Sequence, residues 1–251
     1  MPPVHVAVTD FVATITIAPP EAGYDRAFLD ALAAAVGQVG GREDVRAVIM
    51  RSDNAFGVGW SVAALEEPLG IPGVPHIASG IDAVAAIPQP VVCAIRGRAH
   101  SVALELALAC DIRVAEEGAS FALADTLGGA VPLAGGTQRL PRAVGRAQAL
   151  RMILLGDEID AAEAQRIGLV SRVVPSESLD DAAQGIADAI AARGPIATRL
   201  AKEAVHRGVE MPLEQALRYE LDLTVLLQST ADRAEGVRAF AEKRPPRFIG
   251  R

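Results

Sequence analysis

The sequence predicts an α/β fold that becomes wholly helical toward its C-terminus. Two features carry that expectation. Short apolar, β-branched runs at residues 4–9, 12–17, 45–50 and 91–95 alternate with segments of helical period as far as Pro175. Beyond that proline no strand-like run recurs, and apolar residues return every three or four positions through 179–192, 196–209, 213–228 and 231–242.

Residues 4–9 and 12–17 alternate at strand period and form a hairpin across Asp10, which Pro19 and Pro20 end. Asp25 precedes a helix over 28–36 that stops at Gly37, with glycines again at 40 and 41. The strand at 45–50 delivers the chain to a Gly-rich loop, Asn54 to Ser61. A helix over 77–87 is stopped by Pro88 and Pro90. The strand at 91–95, a turn at 96–98 and a helix over 102–110 follow. That helix carries one acid, Glu105, on an otherwise apolar body. A short strand at 111–115 and residues 121–123 lead to a second acid, Asp125, and then to a Gly-rich turn ending at residues 134–139. A helix spans 145–155. Asp160 opens the next with Glu163 three positions on, the spacing of a capping box, and Gly168 ends it. Residues 170–174 return as a strand, and Pro195 and Pro212 sit at the first turns of later helices.

Composition excludes several classes. With 51 % hydrophobic residues in 251, no apolar run reaches the roughly 18 positions a membrane span needs. The first residues lack a secretion signal, so a cytoplasmic location and no membrane partner are expected. Cys93 and Cys110 stand in apolar settings without nearby histidines, which predicts buried free thiols and no metal site. A formal charge of −7 argues against a nucleic-acid partner. Gly57 and Gly59 lack the third glycine of a dinucleotide fingerprint, since Val62 holds that place, and 135–137 lacks the lysine of a phosphate loop.

The runs Glu105-Leu106-Ala107, Ala109-Cys110-Asp111-Ile112-Arg113, Pro132, and Gly135-Gly136-Thr137-Gln138-Arg139-Leu140-Pro141 resemble the enoyl-CoA hydratase/isomerase, or crotonase, superfamily. The likeness continues through Leu155-Gly156-Asp157, 161–164 and Gly168-Leu169-Val170. It implies a crotonase-like spiral of repeated ββα units over 1–175, carrying the active site. A C-terminal helical oligomerisation region over 176–251 would build a homotrimer or homohexamer. It also implies an acyl-CoA thioester substrate, with coenzyme A as part of that substrate and no separate cofactor, and a place in acyl-CoA or fatty acid metabolism.

By the same resemblance, the backbone N–H groups of Trp60 and Val102 form an oxyanion hole for the thioester carbonyl, and Glu105 and Asp125 are the acid/base pair that adds water across a 2-enoyl-CoA double bond. Substrate contacts are implied at Ala22, Tyr24, Gly57, Val58, Gly59, Ser61, His100, Leu133 and Lys243, and the Pro- and Gly-rich stretch 65–80 becomes a loop over the acyl pocket. The chain departs from the family pattern at several places. Ala22 to Asp25 replaces an Asn-Ala-Leu-Asn signature, and Ser61 replaces a loop Asp. Ser101-Val102-Ala103 replaces three glycines, and Asp125 replaces a Glu. Other readings stay open. The activity could be double-bond isomerisation, decarboxylation or thioester hydrolysis, or the chain could bind acyl-CoA without catalysis. Glu105 could pair with Arg96 or Arg98, Asp125 could cap a turn, His100, Ser101 and Asp125 could suggest a hydrolase triad, and Lys243, Arg244 and Arg247 could be a solvated tail or meet CoA phosphates.

Overall fold

A computed structural model describes residues 2–66 and 77–251. The expected hairpin forms as β1 (Val4–Thr9) and β2 (Val12–Ile17), with Asp10 and Phe11 both at positive φ, as a two-residue turn between twisted strands requires. Helix α1 (Arg26–Gly40) is capped by the Asp25 carboxylate, which accepts from the Phe28 N–H. It runs past the expected stop at Gly37 because Val36 and Val39 both bury against the core. Next come β3 (Ala47–Ser52), α2 (Val62–Leu65), α3 (Ser79–Ala85), β4 (Val91–Ile95), β5 (Arg98–His100) and α4 (Val102–Leu108). They are followed by β6 (Ile112–Glu116), β7 (Ser120–Ala122), a 3-10 turn (Asp125–Gly128), α5 (Gly136–Val144), α6 (Arg146–Leu155), β8 (Ile159–Asp160), α7 (Ala161–Arg166) and β9 (Arg172–Val174). Helices α8 (Leu179–Ala191), α9 (Pro195–Gly208), α10 (Leu213–Gln228) and α11 (Ala231–Ala241) complete the chain. The expected pocket loop falls largely on 67–76, outside the described residues.

The larger sheet has the order β1-β2-β3-β4-β6-β9 and is parallel except at the hairpin; the smaller has the order β5-β7-β8. The chain climbs from one sheet to the other and closes with a helix, β4-β5-α4 and then β6-β7-α5, so the expected ββα spiral is present. Two elements differ from the sequence reading. Residues 98–100, of which Arg98 is expected in a turn and the other two in no element, form β5, because their pairing with β7 and with Gly57 imposes extended backbone that their composition does not announce. Residues 136–139, expected to end a Gly-rich turn, and residues 140–144, assigned to no element, together form α5 despite Gly136 at its start and Pro141 inside it.

The main core fills the space between the sheets and α1, α3 and α4. A second apolar layer covers the other face of the large sheet. There Leu179, Ala183, Ala187 and Ala191, one every four residues along α8, pack against Val12, Ala47, Ile49, Val92, Ala94 and Val114. Contact with the sheet therefore continues across position 175, and the helices that leave it begin at Pro195. Cys93 and Cys110 are free and buried.

Helix α9 is tied back to the core at one carboxylate. Asp111 accepts from the Val91 N–H at 2.7 Å and pairs with Lys202 at 2.7 Å and His206 at 2.8 Å. Burial alone would raise this carboxyl, but those partners outweigh it and hold it below the usual range. Its contribution is thus fully present at neutral pH and is lost only as pH falls through the lowered value. Asp111→Asn, which leaves the mostly buried Lys202 ammonium held by the Ile87 and Gln89 carbonyls but without its opposite charge, is expected to cost about 3 kcal/mol in urea denaturation at pH 7. The difference from wild type should shrink in acid.

Candidate active site

Glu105 lies in the first turn of α4 and is wholly buried. Its Oε1 accepts from the backbone N–H of Ala134 at 2.8 Å and of Gly136 at 2.7 Å. These amides belong to the entry into α5, so the carboxylate sits at the positive end of a helix. Arg139, one turn on, donates to the Ala134 carbonyl at 2.7 Å and to Asp82 at 3.0 Å, pinning the loop from outside. Oε2 is buried with no hydrogen-bond partner among the described residues.

Burial dominates the ionisation of Glu105 and raises it to about 7; the Gly136 and Ala134 amides oppose the shift, and the negative charge of Asp125 adds to it. The folded protein therefore holds this proton more tightly than the unfolded chain. Stability falls as pH rises from 4.5 to about 7, by about 3 kcal/mol in all at 1.36 kcal/mol per unit.

Asp125 opens the 3-10 turn. Its Oδ1 accepts from the Ser101 hydroxyl at 2.6 Å, and its Oδ2 is buried without a partner among the described residues. Each acid is thus tethered by one oxygen with the other uncommitted, and the two carboxyls sense each other's charge. Ser101 itself has φ 51° and ψ −125°, a conformation that costs a residue with a Cβ about 1–3 kcal/mol.

The Gly-rich loop crosses the start of α4. Gly57 donates to the Arg98 carbonyl at 2.8 Å and accepts from the His100 N–H at 3.1 Å, while Tyr24 donates to the Gly59 carbonyl at 2.8 Å and accepts from Ser61 N–H at 2.9 Å. Glycine is required at 57, where a Cβ would stand 2.5 Å from the Tyr24 ring at φ +130°. These bonds leave the Trp60 N–H out of the described backbone pairs, and Val102, as the first residue of α4, has no acceptor within its helix. The two amides stand on crossing segments. Trp60 Nε1 is also buried without a partner among the described residues.

The family model for enoyl-CoA hydratase/isomerase matches residues 8–251. The chain belongs to the enoyl-CoA hydratase/isomerase family. It is 39 % identical over 232 residues to the mitochondrial methylglutaconyl-CoA hydratase of Mus musculus, covering 88 % of this chain and 74 % of that protein. It is 44 % identical over 163 residues to the 2,3-dehydroadipyl-CoA hydratase of Escherichia coli K12, covering 65 % and 64 %. A crystal structure of the enoyl-CoA hydratase from Bacillus anthracis superposes with a TM-score of 0.91 at 37 % identity, over 99 % of this chain and all of that one.

Within this family member, several expected contacts take other roles. Tyr24 is fully buried, its hydroxyl donating to the Phe56 carbonyl at 2.7 Å and its ring edge-on to Phe28, so its side chain packs the core and only its backbone serves the loop. The Ser61 hydroxyl caps α2 by accepting from the Ala64 N–H. His100 faces Ser120 at 2.9 Å and Glu158 at 3.9 Å, and burial lowers its imidazole against the opposing pull of Glu158. The Ser101 hydroxyl therefore turns to Asp125 and away from any triad with His100. Arg96 pairs with Glu116 and Asp180, and no described ion pair includes Glu105. Asp125 bonds Ser101 and leaves the N–H groups of its own turn alone. Ala22 and Val58 are exposed; Leu133 is half-buried against the core, and its N–H is absent from the described hydrogen bonds. Lys243 is exposed beyond α11, while Arg244 is taken up by Glu235 and Glu242.

The α5 amides and the Ser101 bond escaped the sequence reading. The available signal was Gly135-Gly136 directly ahead of a helical-period run. A Cβ at 136 would stand 2.9 Å from Glu105 Oε1 and 2.8 Å from Leu123 Cδ2. Gly136→Ala should therefore lower stability by about 1–3 kcal/mol in urea denaturation. Gly185→Ala, in α8 with open space around it, should raise it by about 0.5–1 kcal/mol.

Proposed function

We propose that this protein hydrates a 2-enoyl-CoA thioester. The observation that carries the reading is the pair of neighbouring acids, wholly buried Glu105 and half-buried Asp125, each tethered through one oxygen and without a partner among the described residues at the other. The Trp60 and Val102 N–H groups receive the thioester carbonyl and stabilise the enolate-like charge that develops there; each such donor is worth roughly 2.7–4 kcal/mol. Water attacks the β-carbon while one carboxylate takes its proton, and a carboxylic acid delivers a proton to the α-carbon. One water enters and nothing leaves, so the atoms balance without a redox or metal group, and coenzyme A serves only as part of the substrate. A carboxyl at about 7 can both hold and release a proton at neutral pH, which suits Glu105 to this exchange.

Two uncommitted acid oxygens favour hydration over isomerisation, decarboxylation or thioester hydrolysis, for which one proton-handling group suffices. They also favour catalysis over simple acyl-CoA binding, since a binder gains nothing from a desolvated acid. The reading extends to assembly. Leu213, Leu217, Leu221 and Val225 form an exposed apolar stripe on α10 that a second and third copy cover, giving a homotrimer or a homohexamer. In that assembly Lys243 meets the CoA phosphates of a neighbouring subunit. No described helix is long and apolar enough to cross a membrane, and we place the enzyme in the cytoplasm.

A panel of crotonyl-, 3-methylglutaconyl- and 2,3-dehydroadipyl-CoA followed by mass spectrometry should show a gain of one water on at least one ester. Glu105→Gln should lower kcat by about 10²–10⁴-fold while thioester binding persists. The wild-type kcat/KM should carry an ionisation near pH 7 that this variant lacks. Turnover in Glu105→Gln equal to wild type would refute the assignment.

A further inference from the structure

Ser101 stands out among the residues around the acids because its conformation and its chemistry pull in opposite directions. Of the four described non-glycine residues at positive φ, Asp10 and Phe11 form a hairpin turn and Lys243 follows a helix; Ser101 alone lies beside the acids. Its ψ of −125° takes it outside the left-handed helical well where Asp and Asn are tolerated, into backbone that glycine adopts freely. A glycine would relax the backbone but would remove the hydroxyl.

The hydroxyl donates to Asp125 Oδ1 at 2.6 Å. Asp125 receives no other described hydrogen bond, and its turn offers no capping contact. This one donor therefore decides how the planar carboxyl rotates about its last torsion, and with it where Oδ2 points. The backbone reinforces the arrangement. Ser101 N–H donates to the Ala122 carbonyl at 2.9 Å, joining it to the strand that leads to Asp125, and a Cβ on Gly59 would meet Ser101 Cβ at 3.7 Å. Ser101 thus lies between the loop bearing the Trp60 amide and the turn bearing Asp125, and directly precedes Val102.

Resting on the hydratase reading above, we infer that Ser101 is the positioning residue of Asp125. It fixes the carboxyl through Oδ1 so that Oδ2 faces the reacting water and the α-carbon, as the Ala134 and Gly136 amides fix Glu105 through Oε1. A short acid on a tight turn needs that tether, because a displacement near 1 Å at a proton-transferring group costs on the order of a hundredfold in rate.

Comparison of Ser101→Gly with Ser101→Ala tests the assignment, because the two variants share the loss of the hydroxyl and differ in backbone strain. Both should lower kcat by about 10–100-fold with KM within about threefold of wild type. Ser101→Gly should melt above Ser101→Ala. A role confined to backbone shape would instead leave Ser101→Gly at the wild-type kcat, and that result would overturn the inference. Crystal structures of the wild type and Ser101→Gly read the same point without turnover. The Asp125 carboxyl should hold one orientation in the wild type and rotate or split in the variant, with Glu105 unmoved. An Asp125 carboxyl unchanged in Ser101→Gly would contradict the inference. A wild type that converts no enoyl-CoA would contradict the hydratase reading while leaving this structural outcome to decide the tether.

Discussion

The arrangement depends on one buried carboxylate and the helix end that faces it. Glu105 has given up water entirely, and two amides at the start of α5 return only part of what was lost. The imbalance leaves the carboxyl near neutrality, at about 7. An acid that rested in ordinary solvent would be a weaker proton donor to carbon at neutral pH, and one fully satisfied by donors would be a poor base. Residue 136 has to be glycine for the helix end to come this close, and Arg139 holds the approaching loop by the Ala134 carbonyl. The stability sacrificed above neutral pH is the physical signature of a group kept for chemistry.

The spiral explains how separate stretches of chain come to surround that group. Each ascent from the large sheet to the small one ends at the entry to a helix or turn, and those ends deliver Val102, Glu105 and Asp125. The Gly-rich loop is held by backbone bonds from Gly57 to Arg98 and His100 and from Gly59 and Ser61 to Tyr24, which bring Gly59 close to Ser101. Because these are main-chain bonds, the loop's path survives the replacement of Gly by Ser, Val and Ala at 101–103.

Much of this was legible in the sequence where local pattern and tertiary demand agree. The hairpin, the strand at 91–95 and α10 coincide with their periodicities, and Asp160 caps α7 at the spacing its sequence announces. The family resemblance singled out both acids, and in the fold their carboxyls come near enough for the charge of one to bear on the other. What could not be read was decided across space. β5 is three residues whose extended form comes from its neighbours, and α5 begins on glycine and contains a proline. Tyr24 occupies a position associated with ligand contact, yet its ring is used to support Phe28 and the loop. The Ser101 substitution is visible in one dimension, but its partner lies 24 positions away and appears only when the turn at 125–128 folds against α4.

The most direct measurement is the titration of the Glu105 side-chain carboxyl by 13C NMR, with its resonance assigned from its absence in Glu105→Gln. Desolvation at the α5 entry places the midpoint near pH 7. A midpoint close to 4.5, the ordinary value for this side chain, would mean that bulk solvent screens the carboxyl and would remove the desolvation on which the account depends.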